Sequence, residues 1–341
     1  MIRIYVPILA CLLVAIPLTS CKESSVYDLS PAERTERHCT ELQERLVTAA
    51  HGWQLIYFPR VDSLLFRSAT ERWEDTQVQQ DKYGYGGYAF GIKFASNGGL
   101  ELKTDQNSYQ PSEVFSGEYD IRLGSSLQLS FTTHTPLHDL VTSELGGVAD
   151  FVYRYTDHEG RLIFATGVSG STNRPYIALE PLGSSGAWEE LTPKAVEHRR
   201  LFEGMAHPQL TIRRGGRIYF QSDVPFRDAR GDRRKELERN RKRYHVFLAL
   251  RSRHEVLFRS GYNALGSGYV GTREGLSFRP GFSADGKALF CDFQWLDNRF
   301  VCELVSIYDP LQRKFVLASR HLHPDGEPTN FTAEIVDMPR P

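Results

Sequence analysis

Hydrophobic residues fall along this chain with two periods. Between Ser30 and Gly52 they recur every three or four positions, and Leu42, Leu46, Val47 and Ala50 form one stripe, which predicts a helix. Ser30, Pro31 and Glu33 supply its start signals: an N-cap serine, a proline at the first helical position and a glutamate that can close a capping box. Gly52 stands where a terminating glycine belongs. From Trp53 the period drops to two. WQLIYF, 53–58, reads as a strand, and the chain then becomes a run of hairpins.

Parity locates the turns, because a slip of one residue would move a strand's whole apolar set to the wrong face. Tyr88, Phe90, Ile92 and Phe94 share one face, and Gly87, Ala89, Gly91, Lys93 and Ala95 form a thin opposite face that backbone, helix or ligand can approach closely. A three-residue loop, Ser96-Asn97-Gly98, sets Phe94 against Leu100 and Ile92 against Leu102, with Gly98 left-handed. Around Gly124–Ser126, Leu123 meets Leu127, Ile121 meets Leu129 and Tyr119 meets Phe131. Around Asp157–Gly160, Tyr155 meets Leu162 and Tyr153 meets Phe164.

The second half repeats the plan. Thr192-Pro193 reads as a helix start and Gly204 as its stop, followed by a hairpin over Gln209–Phe220 that turns at Gly215-Gly216. With a turn at Asp285-Gly286, Phe282 faces Leu289, Pro280 faces Cys291, Phe278 faces Phe293, Leu276 faces Trp295, and Arg279 opposes Asp292. A turn at Asp297-Asn298 then sets Trp295 against Phe300, Phe293 against Cys302 and Cys291 against Leu304. The expected fold is mainly β: antiparallel meanders, barrel-like or strongly curved, each preceded by a helix. The expected units are 31–190 and 191–341, after a signal segment (1–20) and a tether (21–30).

The N-terminus gives the address. Arg3 precedes an apolar run, Ile4–Leu18, too short to span a membrane but suited to a signal-peptide core. The run ends in LTSC, 18–21, which resembles a bacterial lipobox and makes Cys21 the expected lipidated residue. Acyl chains contribute about 0.8 kcal/mol per buried methylene and would tether the chain firmly. Lys22 follows the cysteine with no aspartate for inner-membrane retention, and the CKES start resembles Bacteroidetes-type outer-membrane lipoproteins, so the expected location is the outer membrane, lipid-anchored, with surface exposure as one orientation. Net charge is −1, and nucleic acid is not an expected partner. The basic run 227–243 carries nine basic and four acidic residues, which reads as a solvated segment. Beyond Cys21, the exported chain keeps Cys39, Cys291 and Cys302, an odd number without CxxC spacing, so free thiols are expected.

Signatures of chemistry are sparse. GVSGS at 167–171 is not a nucleophile elbow, and the His254-Glu255 pair lacks the second histidine of HExxH. Carboxylate pairs for glycoside hydrolysis converge only in space, so the sequence singles none out. His134, His138 and Asp139 in HTPLHD form the best metal-like cluster; the alternative is that His138 bonds backbone in a packed turn. His321 and His323 are a weaker histidine pair. No cofactor is expected. Tyr83 and Tyr85, with Trp53 and Tyr57, could form a stacking platform for a sugar or another planar ligand.

The helix running into AAHGWQLIYFP, then YGGYAFGIKFASNGGLEL, SLQLSFTTHTPLH and GGVADFVY, and later GLSFRPGFSADGKALFCDFQW, resembles Bacteroidetes lipoproteins grouped as domain-of-unknown-function family 4302. One departure stands at GGVADFVY, where the family's text is acidic and this chain keeps only Asp150. The resemblance implies a nutrient-capture setting beside a TonB-dependent importer, and it carries over no catalytic residue. The expected function is therefore non-enzymatic binding of a nutrient, such as a glycan, or of an import partner. A hydrolase of surface polymers and a structural or adhesive envelope protein are the alternatives.

Overall fold

A computed structural model describes residues 29–59, 64–66, 86–142, 145–166, 176–222, 243–248, 264–310 and 312–339. Helix α1 (Pro31–Thr48) begins as its residues require: the Ser30 hydroxyl accepts from the Glu33 backbone N–H, and the Glu33 carboxylate accepts from the Ser30 N–H at 2.7 Å. Eight antiparallel strands then close a barrel: β1 (Trp53–Tyr57), β3 (Tyr88–Phe94), β4 (Gly99–Thr104), β5 (Phe115–Leu123), β6 (Leu127–Phe131), β7 (Asp150–Thr156), β8 (Leu162–Thr166) and β9 (Tyr176–Pro181), which returns to β1. Eight strands leave an interior just wide enough for side chains to fill. Here Leu55, Tyr57, Phe90, Ile92, Leu102, Phe151 and Phe164 fill it, with edge-on ring pairs such as Tyr57–Phe151 at 5.7 Å. Leu42 and Leu46 of α1 join the same core.

Helix α2 (Ser185–Gly204) leads into a curled ten-stranded sheet. Its main path runs β11 (Arg217–Gln221), β10 (Pro208–Arg214), β18 (Glu327–Asp337), β16 (Arg299–Asp309), β15 (Ala288–Leu296), β14 (Gly275–Ala284), β13 (Ala264–Gly271), β12 (Tyr244–Leu248). Strand β17 (Lys314–Ser319) pairs with β16, and β2 (Leu64–Phe66), from the barrel half of the chain, pairs with β13. The fold is thus mainly β, with a helix before each sheet.

Seven of the parity assignments hold. Phe94–Leu100, Ile92–Leu102, Tyr119–Phe131, Ile121–Leu129, Leu123–Leu127, Tyr153–Phe164 and Trp295–Phe300 are all paired, and Gly98 has φ +85°. The others do not. A bulge after Tyr153 sets Tyr155 against Ile163 and gives Leu162 to Thr156. In β14 the register breaks between Ser277 and Phe282, where Pro280 has no N–H to give the ladder and Gly281 turns to φ +92°. Phe282 therefore faces Phe290, Leu276 faces Phe293, and Asp292 stands opposite Ser277, though Arg279 still reaches it at 3.4 Å. The β15–β16 register runs only to Gln294–Val301, and Leu304 pairs with Ser319 of β17, so the expected Cys291–Leu304 pairing gives way. A further correction is α2 itself. Its cap is Ser184, whose hydroxyl accepts from the Ala187 N–H at 3.1 Å, and Pro193 lies inside the helix. Cys39, Cys291 and Cys302 are free thiols.

The thin face of β3 explains how the halves join. Trp188 of α2 lies against Gly91, where a Cβ would come within 3.0 Å of the indole. Lys93 and Lys103 flank that ring at 4.2 and 4.8 Å, and the Lys103 ammonium, 2 % exposed, meets Glu189 at 3.0 Å. Gly86, at φ +84°, passes so close to Arg243 that a Cβ would stand 2.1 Å from its carbonyl oxygen; only glycine fits. Beyond it the Gly87 N–H donates to the Tyr269 carbonyl at 3.0 Å.

A buried ionic group closes the seam. Asp105, fully buried after β4, accepts from Arg243 Nη1 at 2.6 Å and lies 3.6 Å from Arg199 Nε. Arg243 also donates to the Gly87 and Asp105 carbonyls and stacks 4.4 Å over Tyr88. Arg199 pairs with Glu203 at 3.0 Å, and the Tyr269 hydroxyl donates to Glu203. Arg243 was expected in a solvated basic run. It is instead 3 % exposed, because Asp105 offers the buried counter-charge that Arg243 needs. Residues 227–242 of that run lie outside the described residues.

Candidate functional site

The structure sorts the sequence candidates. Trp53 and Tyr57 lie in the barrel interior: the indole N–H donates to the Leu46 carbonyl at 2.7 Å, and the Tyr57 hydroxyl accepts from the Val148 N–H at 2.8 Å. Burial pushes the Tyr57 phenol up to about 12. Both rings are core, because the inward parity of β1 carries them there, so they do not form an exposed platform. Tyr83, Tyr85 and Cys21 lie outside the described residues.

His134, His138 and Asp139 do come together, but not as metal ligands. The His134 and His138 rings stack 5.6 Å apart, and His134 Nε2 lies 3.6 Å from Asp139. His138 Nδ1 accepts from the Thr135 N–H at 3.1 Å, which makes Nε2 the donor to the Phe131 carbonyl, also at 3.1 Å. Both nitrogens are committed to the turn. Asp139 in turn accepts from the Tyr109 hydroxyl at 2.6 Å, and that bond pushes the phenol up to about 12. His138 closes a packed turn, and His134 stays exposed on its outer side.

A pocket of about 380 Å³ opens instead where the β10–β11 hairpin, the β14–β15 turn and β18 meet. Its lining is Arg214, Gly215, Arg217, Ile218, Tyr219, Asp285 and Asn330. Local structure puts them there. Gly215 and Gly216, both at positive φ, make the tight turn that sets Arg214 opposite Arg217. Ile212 pairs with Phe220 but Arg213 with Ile218, so Tyr219 is the extra residue of a bulge. Bulges re-aim side chains, and this one leaves Phe220 in the core while Tyr219 stays partly exposed against it. The Asn330 carbonyl accepts from the Gly215 N–H at 2.8 Å and ties β18 to the hairpin tip.

Arg214 forms an ion pair with Asp285 and lies 5.7 Å over the Phe331 ring. The other polar groups are unspent. Among the described residues, the Arg217 guanidinium, the Tyr219 hydroxyl and the Asn330 side-chain amide have no hydrogen bond or ion pair. An aromatic ring beside a paired Arg–Asp and three open polar groups suits a small ligand with several hydroxyls. Sequence reading missed this place because its residues come from three separated segments.

A second polar cluster lies on the barrel–sheet seam. His323 Nδ1 approaches Glu159 Oε1 at 3.5 Å across it. Glu180 of β9 pairs with Gln54 of β1 and feels Glu274 and Asp292 of the sheet. Desolvation pushes its carboxyl above the usual range, Glu274, Glu159 and Asp292 push the same way, and Arg161 opposes them. Burial lowers His321 nearby.

Residues 23–297 match the family model described as Domain of unknown function (DUF4302). The chain belongs to that family. Comparison with curated proteins and with solved structures finds no match. The match runs unbroken through α2 and β10–β14, so within DUF4302 it takes in four pocket residues with side-chain polar groups, Arg214, Arg217, Tyr219 and Asp285. Asn330 lies beyond it.

Proposed function

We propose that this DUF4302 chain is a lipid-anchored, non-enzymatic binding protein of the outer membrane that captures a small polar nutrient, a saccharide in particular, for an import partner. The observation that carries the reading is the pocket at the β10–β11 tip, with three unspent polar groups beside the Tyr219 ring. Its size suits one or two sugar rings. Asp285, its carboxylate, is held by Arg214 in the manner of a recognition pair. The lipobox at Cys21 supports the anchor, and the family resemblance supports the importer.

Ligand-observed NMR on the purified chain with a panel of mono- and disaccharides tests the reading. Binding that Tyr219→Ala reduces at least tenfold supports it. Absence of any binding, or binding indifferent to Tyr219→Ala, overturns it. A second reading, hydrolysis of a surface polymer, draws on Glu180, whose carboxyl desolvation pushes above the ordinary range, the direction a general acid needs. Polymer turnover by the purified chain that Glu180→Gln abolishes would favour it.

A further inference from the structure

We infer that the pocket selects an anionic saccharide, one bearing a carboxylate or sulfate, and that Arg217 receives the anionic group. This rests on the binding reading above and names its ligand class. Three charged residues line the pocket, Arg214, Arg217 and Asp285. Arg214 and Asp285 neutralise each other, which leaves the Arg217 charge unmatched. A guanidinium presents a planar fork that matches carboxylate and sulfate oxygens two at a time, and a partnered arginine would have spent that fork. Arg217 has not spent it among the described residues.

The rest of the lining fits the ring that would carry the anion. Tyr219, held by the bulge, offers a face and a hydroxyl, and Asn330 offers both a donor and an acceptor for ring hydroxyls. Arg214, fixed by Asp285 and by Phe331, is a rigid wall. A neutral sugar would use the ring contacts and leave Arg217 idle.

Isothermal titration of the full chain with matched disaccharides, one neutral, one with a uronate ring and one with a sulfate ester, tests this. At low salt the expected result is at least tenfold tighter binding of an anionic form, declining as salt rises. Arg217→Gln should erase that preference, and Arg217→Lys should keep part of it. The uronate and sulfate arms identify which anion is used. Equal affinity for neutral and anionic sugars, or a preference that survives Arg217→Gln, overturns the inference and leaves the binding reading intact. Failure of all three sugars to bind overturns both. Arg217 is exposed beside a turn, so its variants should fold, which their melting curves verify.

Discussion

Replacing Asp105 by alanine removes the carboxylate that two buried arginines share. Arg243 and Arg199 are 3 and 4 % exposed, so neither can recover hydration without opening the seam between barrel and sheet. Arg243 would keep the Gly87 and Asp105 carbonyls and the Tyr88 face, and Arg199 would keep Glu203. The Ala89 N–H would also lose its acceptor, Asp105 Oδ1 at 2.8 Å. Breaking a buried ion pair from one side costs about 3–5 kcal/mol, and the orphaned N–H places this variant toward the upper end. At roughly 2–4 °C per kcal/mol in a large domain, the melting temperature should fall by on the order of 10 °C. Urea titration of the purified chain, followed by tryptophan fluorescence, measures the loss directly. Arg243→Met provides the second leg of a double-mutant cycle: combined with Asp105→Ala, it should cost clearly less than the sum of the single changes. A loss below about 1 kcal/mol for Asp105→Ala, or strict additivity in the cycle, would refute the claim that this charge group fastens the two halves.

Three further outcomes follow from the same geometry. Gly91→Val places a branched side chain where a Cβ alone would come within 3.0 Å of Trp188; the chain should lose about 1–3 kcal/mol, read by urea titration, and a red-shifted tryptophan emission should accompany it. Glu180→Gln should stabilise the chain at neutral pH but not at acid pH. Its folded-state carboxyl is raised, so its contribution is complete below the ordinary value of 4.5 and is lost as pH climbs through the raised one. Melting curves at pH 4 and pH 7.5 separate the two conditions, and an equal shift at both would contradict the assignment. Finally, burial raises the Cys291 thiol to about 11 and Cys302 further, so at pH 8 a thiol reagent should label these two slowly in the native chain and at once in denaturant.

Alternation and turn chemistry were enough to determine much of this molecule: the Ser30 cap, the loop at Gly98, the β3–β4 and β5–β6 hairpin pairings, and the assignment of Tyr88 to Phe94 as core. These are local properties, because the period-two pleat and the torsions allowed at a turn leave few registers open. The same logic failed where one residue broke the count, at Tyr153 and again at Pro280-Gly281, since a bulge shifts every pair beyond it. Pro193 misled for a similar reason: proline favours a first turn, yet packing and the Ser184 cap carried the helix through it. Tertiary structure alone decided the rest. Gly87, Ala89 and Gly91 announced a close approach, and only the fold supplied α2 and Trp188 as what approaches. Asp105, Arg199 and Arg243 lie far apart in the chain, so their union could not be read from spacing, and the same holds for Arg217, Tyr219, Asp285 and Asn330. A site built from separated segments leaves no mark in any one of them, because what defines it is a set of distances that exists only once the sheet has curled.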